Sequence, residues 1–284
     1  MIRLDAATVL LQWATGGLFF CWVTTRRREV GLGYGWLLRS IYLVLAAGGA
    51  AAGGLLRPDH LRDALGAIEA GAAAVALAVA IRRRRAGVAG ARLRRQRREA
   101  RVAAMTGVDR AVTAVGSTAH EFPPVLDLLA AVIGVSALVV AAHADGGPFA
   151  LALVRTLVGA AFLGAVTDAM LLGHWYLVQP GLGRAPLLEL VRWVAVVWPF
   201  EVAAMLWPTG MISVLTGTVD DGWNGTLGWF WVACAVTTIV LCVVTRKALD
   251  ERAYSAVMAA TGLLYLAILT AFGTDLVARA VLTS

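Results

Sequence analysis

The chain has 284 residues, 60% of them apolar and only 15% charged. Soluble domains average about 25% charged residues, so the composition excludes an ordinary water-soluble protein, and its hydrophobicity excludes a disordered chain. The net charge is +7, and a single lysine, Lys247, stands against 24 arginines, so where the arginines lie decides whether the basicity reports a nucleic-acid partner or a membrane orientation.

A membrane-crossing helix needs about 20 mostly apolar residues, because the hydrocarbon layer is about 30 Å thick and a helix rises about 1.5 Å per residue. The first such stretch is 6–24. Arg26, Arg27 and Arg28 follow it rather than precede it. A cleaved secretory signal has the opposite order, so this span is predicted to be a retained helix whose N-terminus is outside. Spans 34–56 and 62–81 come next, rich in Gly and Ala that permit tight helix packing. They carry Arg39 and Glu69.

The segment 82–122 is a basic loop, with ten arginines in positions 82–101. It is compatible with a stop-transfer anchor or a helix on anionic lipid, where each arginine near the surface contributes about 1 kcal/mol. A docking surface for another membrane or cytoplasmic subunit is a third reading. No aromatic side chain interleaves these arginines, so bases would have no stacking platform, and no nucleic-acid partner is expected. Pro123 and Pro124 then open span 4 (123–143), because prolines begin helices but do not continue them.

Span 4 carries Asp127, span 5 (148–174) carries Arg155 and Asp168, and span 6 (187–207) carries Glu189, Arg192 and Glu201. Pro199 lies two residues before Glu201 and removes one helical hydrogen bond, which opens two readings: a polar cavity lined by a freed carbonyl and the carboxylate, or a buried Arg155–Glu201 pair that only orients helices. An acidic loop, 208–224, leads to spans 7 (225–245) and 8 (254–279). Span 8 ends in Thr274-Asp275, which resembles Thr167-Asp168 of span 5 only as far as chance allows in an Ala-rich chain. Nothing alternates as a barrel strand does.

Eight spans with both termini outside place 18 of the 25 Lys and Arg side chains on the cytoplasmic side and 4, including Arg279, on the other. This asymmetry obeys the positive-inside rule. The expected fold is therefore an all-α polytopic bundle of about eight helices. It forms one transmembrane domain, 1–284, in a bacterial plasma (inner) membrane, with the lipid bilayer as its first partner.

Ionisable side chains inside a bilayer are functional candidates by default. Three cysteines without CxxC spacing and four histidines leave no metal motif. The densest polar segment is 167–180, where His174, Trp175 and Tyr176 follow Asp168. His120 is expected at the same depth on span 4. One reading is thus a membrane subunit of a redox or respiratory-type complex rather than a self-contained enzyme. It would bind a quinone, or one haem b between His120 and His174, with Trp175, Tyr176 and Asp168 beside it. The alternative is a proton-coupled transporter of a small molecule or ion, its polar path formed by Glu69, Arg155, Glu201, Arg39, Asp127 and Arg192. A third is a structural accessory subunit whose charges only pair.

Overall fold

The computed structural model describes residues 4–88, 120–145, 147–179, 181–251 and 253–282. Among them every regular element is a helix. The α-helices are α1 (Ala6–Thr25), α2 (Leu32–Leu56), α3 (His60–Arg82), α4 (Val125–Ala144), α5 (Phe149–Val178), α6 (Ala185–Leu206), the short α7 (Gly210–Leu215), α8 (Thr226–Asp250) and α9 (Tyr254–Val281). The eight long ones follow the expected spans, and α5 and α8 each run one further turn.

Local chemistry sets the ends. The Asp5 carboxylate accepts from the Thr8 amide at 3.1 Å, and Asp59 does the same for Arg62 at 3.1 Å. Each fills one of the orphan donors at a helix start. Pro124 precedes α4, Pro148 precedes α5, and Pro186 sits in the first turn of α6.

Seven helices are long and apolar enough to cross a membrane, so the chain is a multi-pass integral membrane protein. The long helix outside that set is α6, which carries Glu189, Arg192 and Glu201. Many large apolar side chains are exposed along the helices, among them Val44, Leu55, Val240 and Leu269. Water does not tolerate so much continuous apolar surface, whereas lipid does.

The loops that alternation assigns to one side do meet at one end. Arg28 pairs with Glu121, Arg83 donates to the Glu121 carbonyl, and the Gly31 amide donates to Gln179. Arg184 donates to the carbonyls of Leu249, Glu251 and Ala253, and Glu189 takes both Arg26 and Arg27. Much of the basic run, residues 89–101, lies outside the described residues.

Helix α1 is the axis of the bundle, packed against α2, α4 and α5, while α5 carries α6 and α9 on its other side. The contact between α1 and α5 is backbone on backbone. A methyl group on Gly16 would sit 1.8 Å from the Ala160 carbonyl oxygen, and one on Gly164 would meet Gly16 in turn. Gly16→Leu is therefore expected to destabilise the fold by roughly 3 kcal/mol or more, the upper range of overpacking. Gly54→Ala, where nothing lies within 4 Å, is expected to leave the thermal midpoint in detergent unchanged or raised. Equal midpoints for the two variants contradict this packing.

Candidate functional site

Among the described residues, and besides Arg62 with Asp5 and Asp63 at the start of α1, four groups of buried polar side chains lie inside the bundle, and α1 touches or borders each. Nearest the basic end, Asp127 of α4 takes Arg39 of α2 in a two-pronged pair, Nε–Oδ1 at 2.7 Å and Nη2–Oδ2 at 2.6 Å. Both are buried, and the guanidinium lies 3.9 Å from the Phe122 ring centroid. From α1, the Cys21 thiol donates to Asp127 at 3.7 Å and the Thr25 hydroxyl at 3.3 Å. A small cleft of about 30 Å³, lined by Arg28, Arg39 and Glu121 among others, leads from the surface to this pair. A water needs about 10–15 Å³, so the cleft has room for about two or three.

The second group is Asp168 of α5 with two tyrosines of α2. The Tyr42 hydroxyl donates to Asp168 Oδ1, and the Tyr34 hydroxyl donates to the Asp168 carbonyl at 3.3 Å. Asp168 Oδ2 has no hydrogen-bond partner. Asp168 and Trp175, seven residues apart and so on one helical face, both face α2, where Trp175 packs on Tyr34 with ring centroids 6.1 Å apart.

Glu69 of α3 forms the third group. It is fully buried and accepts from the Thr15 hydroxyl of α1 at 2.9 Å. Its Oε2 has no partner. Gly134 of α4 leaves the space for it, since a Cβ there would lie 2.3 Å from Glu69 Oε1.

The fourth group joins α1, α5, α6 and α9. Arg279 Nε donates to Asp275 Oδ2 at 2.8 Å, and both side chains are buried. The Gln12 amide donates to the Thr156 carbonyl at 2.7 Å. Gly159 makes the notch in which Gln12, Asp275 and Arg279 meet, because a Cβ there would be within 3.0 Å of all three. Glu201 is buried and faces Asp275, Arg279 and Arg155. Arg155 donates to the carbonyls of Ala204 at 2.9 Å and Trp207 at 2.6 Å. The expected Arg155–Glu201 hydrogen-bonded pair therefore does not form, because the guanidinium satisfies the carbonyls left open where α6 ends. Pro199 lies within α6, which continues through it.

The residues of the haem or quinone reading go to separate partners. His120 is exposed ahead of α4. His174 is exposed on α5, with Nδ1 3.2 Å from the Tyr265 hydroxyl of α9. Trp175 donates to Gln179 at 3.1 Å, and the buried Tyr176 hydroxyl donates to the Gly183 carbonyl at 2.5 Å. Arg192 is exposed on α6 and joins none of the four groups. No cluster of three or more His, Cys, Asp or Glu fit to hold a metal occurs among the described residues.

Gln12, Thr15, Cys21, Tyr34, Tyr42 and Arg279 were not singled out by sequence. The charge asymmetry places Arg279 outside the membrane, yet it is buried within α9. The signal for it was present in the four-residue spacing from Asp275, which puts opposite charges on one helix face. The other five are uncharged, and nothing in spacing alone distinguishes them from packing residues.

No protein-family model, curated protein or solved structure matches this chain.

Two predictions follow from the local geometry. Removing one partner of a buried ion pair leaves an uncompensated charge, which costs roughly 3–5 kcal/mol. Asp127→Asn and Arg39→Gln are each expected to lose that much in a denaturant titration, and the double variant less than their sum. Additive losses would mean that the two groups act independently.

The second concerns the loop before α8. The Asp221 carboxylate accepts from the amides of Trp223, Gly225, Leu227 and Gly228. Desolvation pushes this carboxyl up, but the four amides outweigh it and hold its pKa below the ordinary carboxylate value. A depressed pKa contributes stability above the unfolded value, and that contribution is lost as pH falls through the folded value. Hydrogen exchange at the Leu227 amide should therefore stay protected at neutral pH and open only below the usual carboxylate range. Asp221→Ala should remove the protection at every pH.

Proposed function

We propose that the chain is a proton-coupled carrier of the bacterial plasma membrane, crossing it eight times with both termini outside. One observation carries this reading: buried acids recur along the whole of α1. Gln12, Thr15, Cys21 and Thr25 touch or border the fourth, third and first groups in turn, and the ring of Tyr42, which holds Asp168, lies against Gly17. Thirteen residues of helix span about 20 Å, most of the hydrocarbon thickness.

A bundle that only needed to neutralise its charges would fill every oxygen. Glu69, Asp168, Glu201 and Asp275 each keep at least one oxygen without a donor. Unfilled carboxyl oxygens at bilayer depth are the groups that accept and pass protons in pumps and carriers. In this reading protons enter by the cleft at Arg28, Arg39 and Glu121. They reach Asp168 past Cys21 and leave by way of Glu201 and Asp275, with water bridging the gaps. Glu69 is a side branch at the middle.

A larger apolar groove of about 520 Å³ opens between α5 and α6, lined by Leu151, Val154, Val158, Phe200, Ala203 and Trp207. Its volume is within the usual range of small-molecule sites, about 300–1,000 Å³. Two of its wall residues, Ala204 and Trp207, hold Arg155 through their carbonyls, and its lining favours an apolar or amphiphilic solute. The arginine asymmetry supports the assigned sidedness. The run 82–101 then faces the cytoplasm, where anionic lipid or another subunit would meet it.

The purified protein in vesicles containing a pH-sensitive dye is expected to admit protons when a membrane potential is imposed. Asp168→Asn and Glu201→Gln should abolish the uptake, and Arg192→Gln, an exposed position, should not. Uptake no faster than in protein-free vesicles, or full uptake in both acid variants, overturns the reading.

A further inference from the structure

We infer that Glu201 and Asp275 share a single proton inside the bundle, so that this carboxyl pair is a proton-binding site. Glu201 is fully buried, and neither of its oxygens has a hydrogen-bond donor. Its carboxyl nevertheless lies against that of Asp275. Asp275 commits Oδ2 to Arg279 and leaves Oδ1 without a donor. Two ionised carboxylates repel and cannot bond to one another. One proton between them converts the contact into a charge-assisted O–H···O bond, among the stronger hydrogen bonds available in a dry interior.

The charge count agrees. The groups facing the pair are Arg279 from α9 and Arg155 from α5, while Asp145, just beyond α4, faces Arg279 in turn. Gln12 of α1 contributes an uncharged amide. Two guanidiniums thus meet three carboxyls, and a bound proton lowers the negative charge among them. A net charge buried at this depth is strongly disfavoured.

The two halves of the pair belong to different helices, α6 and α9, each of which packs on α5 and α8. Loss of the shared proton leaves like charges face to face across α6 and α9, a state that pushes the helices apart. The site exists whether or not the chain is a carrier; only this use of it rests on the function proposed above.

Infrared difference spectra between the wild type and single variants test the pair. A protonated carboxyl has a C=O stretch separate from ionised carboxylate. Glu201→Gln is expected to delete one such band, and Asp275→Asn to delete or shift the same band. Because the glutamine amide can donate to the open Asp275 Oδ1 in place of the shared proton, Glu201→Gln should also keep the wild-type thermal midpoint near neutral pH. A band that persists unchanged in Glu201→Gln overturns the inference, as does a large fall in that variant's midpoint. If Asp275→Asn fails to fold, the two Glu201→Gln readouts still decide. Loss of the band with full proton uptake keeps the pair and overturns the carrier. Loss of uptake with the band intact does the reverse.

Discussion

The constraint on which this structure depends is that lipid offers no solvent for a charge. Every ionisable side chain at membrane depth must find its compensation within the protein, and a polar group left without it costs several kcal/mol. The pairings here are almost all between helices distant in sequence: Arg39 with Asp127, Tyr42 with Asp168, Thr15 with Glu69, Arg155 with the end of α6. Together they fix which helices are neighbours. Packing between Gly- and Ala-rich surfaces then brings those neighbours close, as the backbone contact of Gly16 with Ala160 and Gly164 illustrates.

The same constraint distinguishes structure from function within the site. The Arg39–Asp127 pair is saturated: both carboxylate oxygens are taken, a thiol and a hydroxyl add to them, and a ring covers the cation. Such a pair holds helices in register. Glu69, Asp168 and Glu201 are different, each keeping an oxygen without a donor at full burial. Fold stability alone would favour replacing them with apolar residues, since buried ionic groups seldom improve on a well-packed core. Their retention at such a cost is the physical reason to look for chemistry there.

The eight long helices were legible because the signal is additive. Twenty apolar residues average out local irregularities, and the Pro124, Pro148 and Pro186 boundaries agree with the hydropathy. The ionisable residues within the spans were legible for the same reason, as rare events on an apolar background. Their partners were not. Arg155 and Glu201 were expected to pair because each was the conspicuous charge of its helix at one depth, yet the open carbonyls at the end of α6 compete successfully for the guanidinium. His120 and His174 were expected to share a depth, but rotation about the helix axis sends His174 outward to Tyr265, and spacing along one helix does not reveal which neighbour a face meets.

The sequence by itself determined that this is an all-helical membrane protein, where its helices begin and end to within about a turn, and that several charges lie within its spans. Those properties follow from local composition and from the cost of exposing a backbone to lipid. Only the tertiary structure decided that α1 is the axis, that Arg279 is an interior residue, and that Glu201 meets Asp275 rather than Arg155. Those facts depend on helix rotation and neighbour order. Contacts between residues far apart in the chain set both, and they leave no periodic trace in it.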